Sequence, residues 1–167
     1  NDVLDMSKIE VGRIALHKQN FDLYRMLDEL EDMFRFQAEE KQLKLIFECF
    51  PDVPQYVQTD EIRLRQVLIN LLSNAVKFTH EGGVSLRVKG RIGHKTSDNA
   101  TDNPQRTTDN PQTLLFEVED TGPGIAKEEL NEIFEAFVQA KVGQESQEGT
   151  GLGLSISHEL ARLMGGS

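Results

Sequence analysis

A single cysteine, Cys49, stands in 167 residues, so no disulfide framework is available and packing alone must hold the fold. Cys49 falls in an apolar alternating run and is read as a free, buried, unreactive thiol. Basic residues are in deficit: 18 Lys and Arg face 28 Asp and Glu, for a formal charge of -10. That balance opposes attraction to nucleic-acid phosphates or anionic lipid, and nucleic acid is excluded as a partner on this ground. No uninterrupted apolar run reaches the roughly 18 residues of a membrane span, and no basic-then-apolar leader opens the chain. A cytoplasmic piece is expected, whose parent reaches a membrane only through parts outside this sequence. Asn1 in place of Met, and Gly-Gly-Ser at the end, predict a fragment of something longer. The length predicts one domain.

The hydrophobic pattern divides the chain. Val3, Leu4 and Ile9 read as the tail of a longer helix, and residues 11–21 as a strand leading into a turn. Asp22 is placed to cap a helix running to Glu40, whose apolar face takes Leu23, Met26, Leu27, Leu30, Met33, Phe34 and Ala38. Leu43, Leu45, Phe47 and Cys49 alternate as a strand that Pro51 and Pro54 end, with a short strand at Tyr56 and Val57. A long helix is expected over 60–79, stopped by Gly82-Gly83. Val84, Leu86 and Val88 alternate as one strand and residues 114–119 supply another. Between them, residues 90–113 offer almost nothing to bury and repeat TDNPQ at 101–105 and 108–112, which predicts a disordered insertion. Residues 127–137 read as helical, 139–149 as a mobile loop, and the glycines that follow as the start of a last helix carrying Leu154, Ile156, Leu160, Leu163 and Met164 on its core face.

Chemistry concentrates on the 60–79 helix. At about 100° per residue, Leu64, Leu68, Leu71, Leu72 and Ala75 share one face, while Arg63, Asn70, Asn74 and Lys77 share another. Asparagine competes for backbone hydrogen bonds inside a helix, so two of them one turn apart call for a reason. Each motif alone also fits a bland role: a solvated helix face, a turn after a strand at Asp120-x-Gly122-x-Gly124, and an ordinary helix start at Gly149, Gly151 and Gly153. Together they suit a magnesium nucleotide. Magnesium takes oxygen ligands such as the amides of Asn70 and Asn74, and Lys77 can reach a phosphate. The glycines let backbone amides at a helix N-terminus face phosphate oxygens. Asp120 offers an ionised acceptor for an amino group on a base, with Gly122 and Gly124 leaving room for its ring. No Gly-x4-Gly-Lys-Ser/Thr loop occurs, and the glycines follow a polar loop instead of a strand, so neither a P-loop nor a dinucleotide fold accounts for them.

NLLSNAVKFT, DTGPGI, FEAF and GTGLGLSI stand in the order of the N, G1, F and G2 boxes, and the chain closely resembles the catalytic ATP-binding domain of sensor histidine kinases, in the GHKL ATPase superfamily. NDVLDMSKIEVG resembles the junction that leaves the family's dimerisation helices, in hybrid-type kinases especially. The resemblance implies an α+β, two-layer α/β sandwich of the Bergerat type, a mixed sheet packed on one face by helices, here without its last strands. It implies the end of a dimerisation helix and linker over 1–10 and the ATP-binding catalytic domain over 11–167, with an ATP lid over 138–149. By the same resemblance Asn70 and Asn74 hold Mg2+, Lys77 contacts phosphate and acts with Asn74 in catalysis, and Phe78 lies against the adenine. Asp120 binds the adenine amino group. Gly122, Gly124, Ile125, Phe137, Gly149, Thr150, Gly151, Leu152 and Gly153 complete the ATP site, and Phe134 with Phe137 anchors the lid.

The implied reaction is transfer of the γ-phosphoryl of ATP to a histidine on an upstream dimerisation domain, then to a response regulator receiver domain. None of His17, His80, His94 or His158 stands in the family's phosphoacceptor motif, so the accepting histidine is expected outside this sequence. Two alternatives remain at this stage. A hydrolase of the same superfamily would activate water with a glutamate on the 60–79 helix, where this chain has Gln66 and Arg63. A non-catalytic module would use ATP only to order its lid and dock partners.

Overall fold

Asp22 starts the first helix as its position predicts: its Oδ1 accepts from the backbone N–H of Arg25 at 3.0 Å, satisfying one of the donors that a helix N-terminus leaves unpaired. The computed structural model describes Ser7 and residues 14–92, 112–130, 132–134 and 151–167. Its elements run β1 (Gln19–Asp22), α1 (Leu23–Glu40), β2 (Lys44–Cys49), β3 (Tyr56–Thr59), α2 (Glu61–Phe78), β4 (Gly83–Ile92), β5 (Gln112–Asp120) and α3 (Gly153–Leu163). The expected tail of a longer helix and most of the junction lie outside the described residues, as do residues 93–111.

A three-stranded mixed sheet of order β2-β4-β5 carries the fold. β2 runs parallel to β4, with Phe47 opposite Leu86, and β4 runs antiparallel to β5, with Leu86 opposite Val118. β1 and β3 form a separate antiparallel pair. Val84, Leu86 and Val88 point to one face and join Leu23, Met26, Leu30 and Phe34 of α1 and Leu64, Leu68 and Leu72 of α2 in one core. The other face is wet and charged: Arg87 pairs with Glu119 and Glu48, and Lys89 with Glu117. Two layers follow from this asymmetry, because the apolar residues of the sheet concentrate on one side, Ile46 and Leu115 being left exposed on the other.

The helix that carries the polar stripe is fixed at both ends. The side chain of Asp60, buried to 3% exposure, accepts from Arg63 N–H at 3.0 Å and from His17 N–H at 2.8 Å, tying the chain before β1 to the start of α2. At the other end Thr79 is fully buried and donates its hydroxyl to Ala75 O at 2.7 Å, while Lys41 Nζ donates to Val76 O and Lys77 O, each at 2.8 Å. The last carbonyls thus have partners, and a cation sits at the negative end of the helix. The stop therefore lies at Thr79, which turns extended, ahead of the glycine pair that the sequence pointed to.

Several other expectations shift. Met33, at the edge of the α1 stripe, and Leu163, in the last turn of α3, are both exposed. β4 continues through Gly90 to Ile92 and β5 begins at Gln112, so both ends of the segment expected to be disordered are strand, with Gly90 opposite Leu114. A polar strand edge costs nothing when the ladder supplies the hydrogen bonds. Residues 127–130 and 132–134 form hydrogen-bonded turns where a helix was expected. Cys49 is exposed at the end of an edge strand, not buried, yet desolvation still pushes its thiol up, against the hydrogen bond with Tyr24 that lowers it. The thiol stays protonated and unreactive near neutrality, as the sequence suggested for another reason. No helix among the described residues is long and apolar enough to cross a membrane.

Asp60→Ala removes a cap and strands the His17 N–H, and should lower the unfolding free energy by about 2 kcal/mol; an unchanged urea midpoint would contradict the double role. Three carboxyls are held below their ordinary values: Asp22 by Arg25 N–H, then Gln55; Glu29 by Arg65, then Arg25; and Glu117 by Lys89. A depressed folded pKa contributes stability that is present above the ordinary value and lost as pH falls through the folded one. Urea midpoints should hold above roughly pH 5 and fall in more acid solution, with Glu29→Gln flattening the fall.

Candidate functional site

The apolar side of α2 is committed to the sheet, so its polar stripe must face elsewhere, and the structure brings two distant segments to it. At the C-terminal end, β5 delivers Asp120 beside the start of β4, opposite Val84. The carboxylate of Asp120 folds back, Oδ1 accepting from Gly122 N–H at 2.8 Å. A Cβ on Gly122 would stand 2.8 Å from that oxygen and 3.0 Å from Phe78 O, so this glycine allows the turn to pass close against the end of α2. Thr121 holds the same junction from the other side. Its hydroxyl donates to Glu81 O at 2.6 Å and accepts from Gly83 N–H at 2.9 Å. Asp120 is thereby tied to the loop that leaves α2, near Lys77 and Phe78. Lys77 Nζ lies 5.0 Å from the centre of the Phe78 ring, a cation–π contact that keeps the ammonium and the ring together.

Halfway along α2, Asn70 meets the start of α3. Its Nδ2 donates to Ser157 Oγ at 2.8 Å, and a Cβ on Gly153 would stand only 2.2 Å from its Oδ1. Leu152, Ile156 and Leu160 pack there with Val67 and Ile14 in a second apolar cluster. Leu152 is fully buried, and its carbonyl accepts from Ile156 N–H and the Ser155 hydroxyl, so it fixes the start of α3. α3 begins without a side-chain cap, and Gly151 before it and Gly124 after the Asp120 turn both take left-handed backbone, at φ 69° and 73°. Ile125 is exposed beside Gly124. Phe134 lies against His158 of α3, with ring centroids 5.2 Å apart.

The structure thus gathers Lys77, Phe78, Asp120 and Gly122 at one end of the stripe, and Asn70, Leu152 and Gly153 further along it, with Asn74 one turn of α2 from each. Phe137, Gly149, Thr150 and the expected lid lie outside the described residues. Among the described residues no trio of His, Cys, Asp and Glu is poised to hold a metal. A magnesium ion held by amide oxygen and phosphate requires none, so the donor set fits. Sequence reasoning missed Ser157, Thr121 and Lys41. The signal for Ser157 was a polar residue inside an apolar helix repeat; Lys41 and Thr121 act on backbone groups far along the chain, for which no local signal exists. A groove of about 400 Å³ lined by Ile14, His17, Asp60, Ile62 and Arg63 lies at the opposite end of α2 and includes none of the expected site residues.

Residues 59–167 match the family described as histidine kinase-, DNA gyrase B- and HSP90-like ATPases, and the chain belongs to that family. Over 99% of its length it is 40% identical to hybrid signal transduction histidine kinase B of Dictyostelium discoideum and to the aerobic respiration control sensor protein ArcB of Escherichia coli, covering 8% and 19% of those proteins. The chain is therefore a small part of the length of these relatives. The structure of full-length ShkA in complex with AMPPNP superposes on the whole chain with a TM-score of 0.75 at 34% identity, 30% of ShkA being covered. The catalytic domain of histidine kinase ThkA gives a TM-score of 0.61 at 26% identity, with 87% of this chain and 82% of that one covered. The mixed sheet with helices on one face is thus the fold of histidine kinase catalytic domains.

Gly122→Ala should displace the Asp120 carboxylate or the Phe78 carbonyl and cost about 1–3 kcal/mol of stability. Chemical denaturation reads the loss, and a variant as stable as the wild type would mean that the turn does not pack on α2 as described.

Proposed function

We propose that the chain is the nucleotide-binding catalytic domain of a sensor histidine kinase, taking ATP with Mg2+ and passing the γ-phosphoryl group to a histidine of an upstream dimerisation domain outside this sequence. The observation that carries this reading is the meeting of two remote segments with the amides on the stripe of α2: the Asp120 turn and the glycine-bounded start of α3. The AMPPNP bound by ShkA, a relative of the same fold, supports a nucleotide as the ligand.

In this reading Asp120 accepts from the adenine amino group, with Gly122, Gly124 and Ile125 beside the ring and Phe78 against it. Lys77 neutralises phosphate charge from the position that Phe78 gives it. Asn74 and Asn70 supply the amide oxygens for the metal, and Mg2+, when bound, neutralises the oxygens around the γ-phosphorus. The first turn of α3, which starts at Gly153 without a side-chain cap, would turn N–H groups to phosphate, with Gly149, Thr150, Gly151 and Leu152 preceding it in the sequence. The lid that the family resemblance implies over 138–149, with Phe134 and Phe137 at its near end, would complete the site. A response regulator receiver domain would be the final acceptor, and ATP as the substrate agrees with a cytoplasmic domain.

The hydrolase alternative loses support at α2. Arg63 donates to Gln66 Oε1 at 2.8 Å, so an amide paired with a guanidinium stands where a water-activating carboxylate would be needed. Glu61 is held by Arg65 at 3.1 Å and by Gln19 at 3.3 Å. Neither arrangement provides a free base.

Titration with Mg·ATP should show binding by the wild type, weakened by roughly 10–100-fold in Asp120→Asn and Asn74→Ala, because each removes a charge-assisted or metal-directed contact. Equal binding by all three proteins would remove the site assignment. Labelled ATP should leave no acid-labile phosphate on the chain alone and should label an added dimerisation domain. Binding without any transfer would favour the non-catalytic module.

A further inference from the structure

α3 carries two buried serines, and they are satisfied in different ways. Ser155, at 3% exposure, donates to Leu152 O at 2.9 Å within its own helix. Ser157, at 6%, instead receives the amide of Asn70 across the interface with α2, 87 residues away in the chain. A buried hydroxyl costs free energy unless it is paired, so the placement of Ser157 on this face has a purpose only through its partner. The other half of the Asn70 amide packs against the start of α3. Its oxygen occupies the space that any side chain at 153 would need, so Gly153 serves as the seat of an asparagine as well as a bend before phosphate. Val67, one turn before Asn70, packs in the apolar seam of Leu152, Ile156 and Leu160, which holds the contact between the helices on its other side.

We propose that Asn70 acts as a joint between α2 and α3, and that Ser157 is a positioning residue that sets the first turn of α3 against Asn74. The inference rests on the nucleotide-site reading and refines it. This replaces the metal-holding role of Asn70: the metal-directed oxygen would come from Asn74, while Asn70 acts through the helix that it grips. A rigid spacing between the two helices places amide oxygen and backbone N–H groups on opposite sides of the same phosphates without reorganisation when nucleotide arrives.

The test is a double-mutant cycle in the full chain, with Asn70→Ala, Ser157→Ala and the double variant, beside Asn74→Ala and Ser157→Thr. Nucleotide affinity is measured at saturating Mg2+, and the Mg2+ requirement at fixed ATP. Asn70→Ala and Ser157→Ala should each weaken ATP binding by about five- to tenfold, and the double variant should be no weaker than either single. Ser157→Thr keeps the hydroxyl and should bind as the wild type. The Mg2+ half-saturation point should rise for Asn74→Ala alone. Wild-type binding by Ser157→Ala, multiplicative losses in the double variant, or a raised Mg2+ requirement in Asn70→Ala would each overturn the proposal. If the wild type binds no Mg·ATP, the functional reading falls and the positioning role falls with it. The joint itself is then judged by thermal unfolding of the same cycle, where additive shifts in Tm would remove it too.

Discussion

Helix α2 must bury one side against the sheet and keep the other free for polar work, and most of the structure answers that requirement. Leu64, Leu68, Leu72, Ala75 and Val76 are buried, and together with Val84, Leu86 and Val88 they leave α2 no rotational freedom about its axis. Rotation of the helix would carry leucines into water, so the hydrophobic core is what aims Asn70, Asn74 and Lys77. The ends are held by polar contacts from elsewhere in the chain: Asp60 takes the backbone of His17, and Lys41, just past α1, takes the carbonyls of Val76 and Lys77. Acid at the start and a cation at the end also match the field of the helix itself.

The two halves of the site are attached to α2 in different ways. Asp120 reaches it through the loop that leaves α2, since the Thr121 hydroxyl bonds to the backbone of Glu81 and Gly83 and Gly122 passes against Phe78. α3 reaches it through side chains, by the Asn70–Ser157 hydrogen bond and the seam around Leu152. The Asp120 turn is therefore continuous with the sheet and shares its rigidity. Among the described residues, α3 is held to α2 by the Asn70–Ser157 hydrogen bond and a small apolar cluster, a lighter attachment.

Much of this was legible in the residues. Asp22 and Asp60 announced helix starts because a cap is a local device: an acceptor three residues before the N–H it receives. Alternation at Leu45 and Phe47, at Val84 to Val88, and at Leu114 to Val118 marked the three strands of the main sheet. What failed did so at margins, where neighbours decide. Met33 and Leu163 sit at the rim of an apolar stripe or in a last turn, and their exposure depends on what the opposing layer covers. Gly90 and Thr113 read as loop because nothing there is apolar, yet the antiparallel ladder continues through them, since its hydrogen bonds come from backbone.

The sequence by itself determined the periodicities, the caps and the order of the four boxes, because each is a relation among residues a few positions apart. It thereby determined the family and named the candidate residues of the site. Only the tertiary structure decided that β2 runs parallel to β4, that Lys41 closes the end of α2, and that the amide of Asn70 faces Ser157 and Gly153. Those contacts span 35 to 87 positions of chain in the two hydrogen bonds, and no local pattern encodes which remote group will arrive. Their partners are selected by how the layers pack, and packing is a property of the whole core.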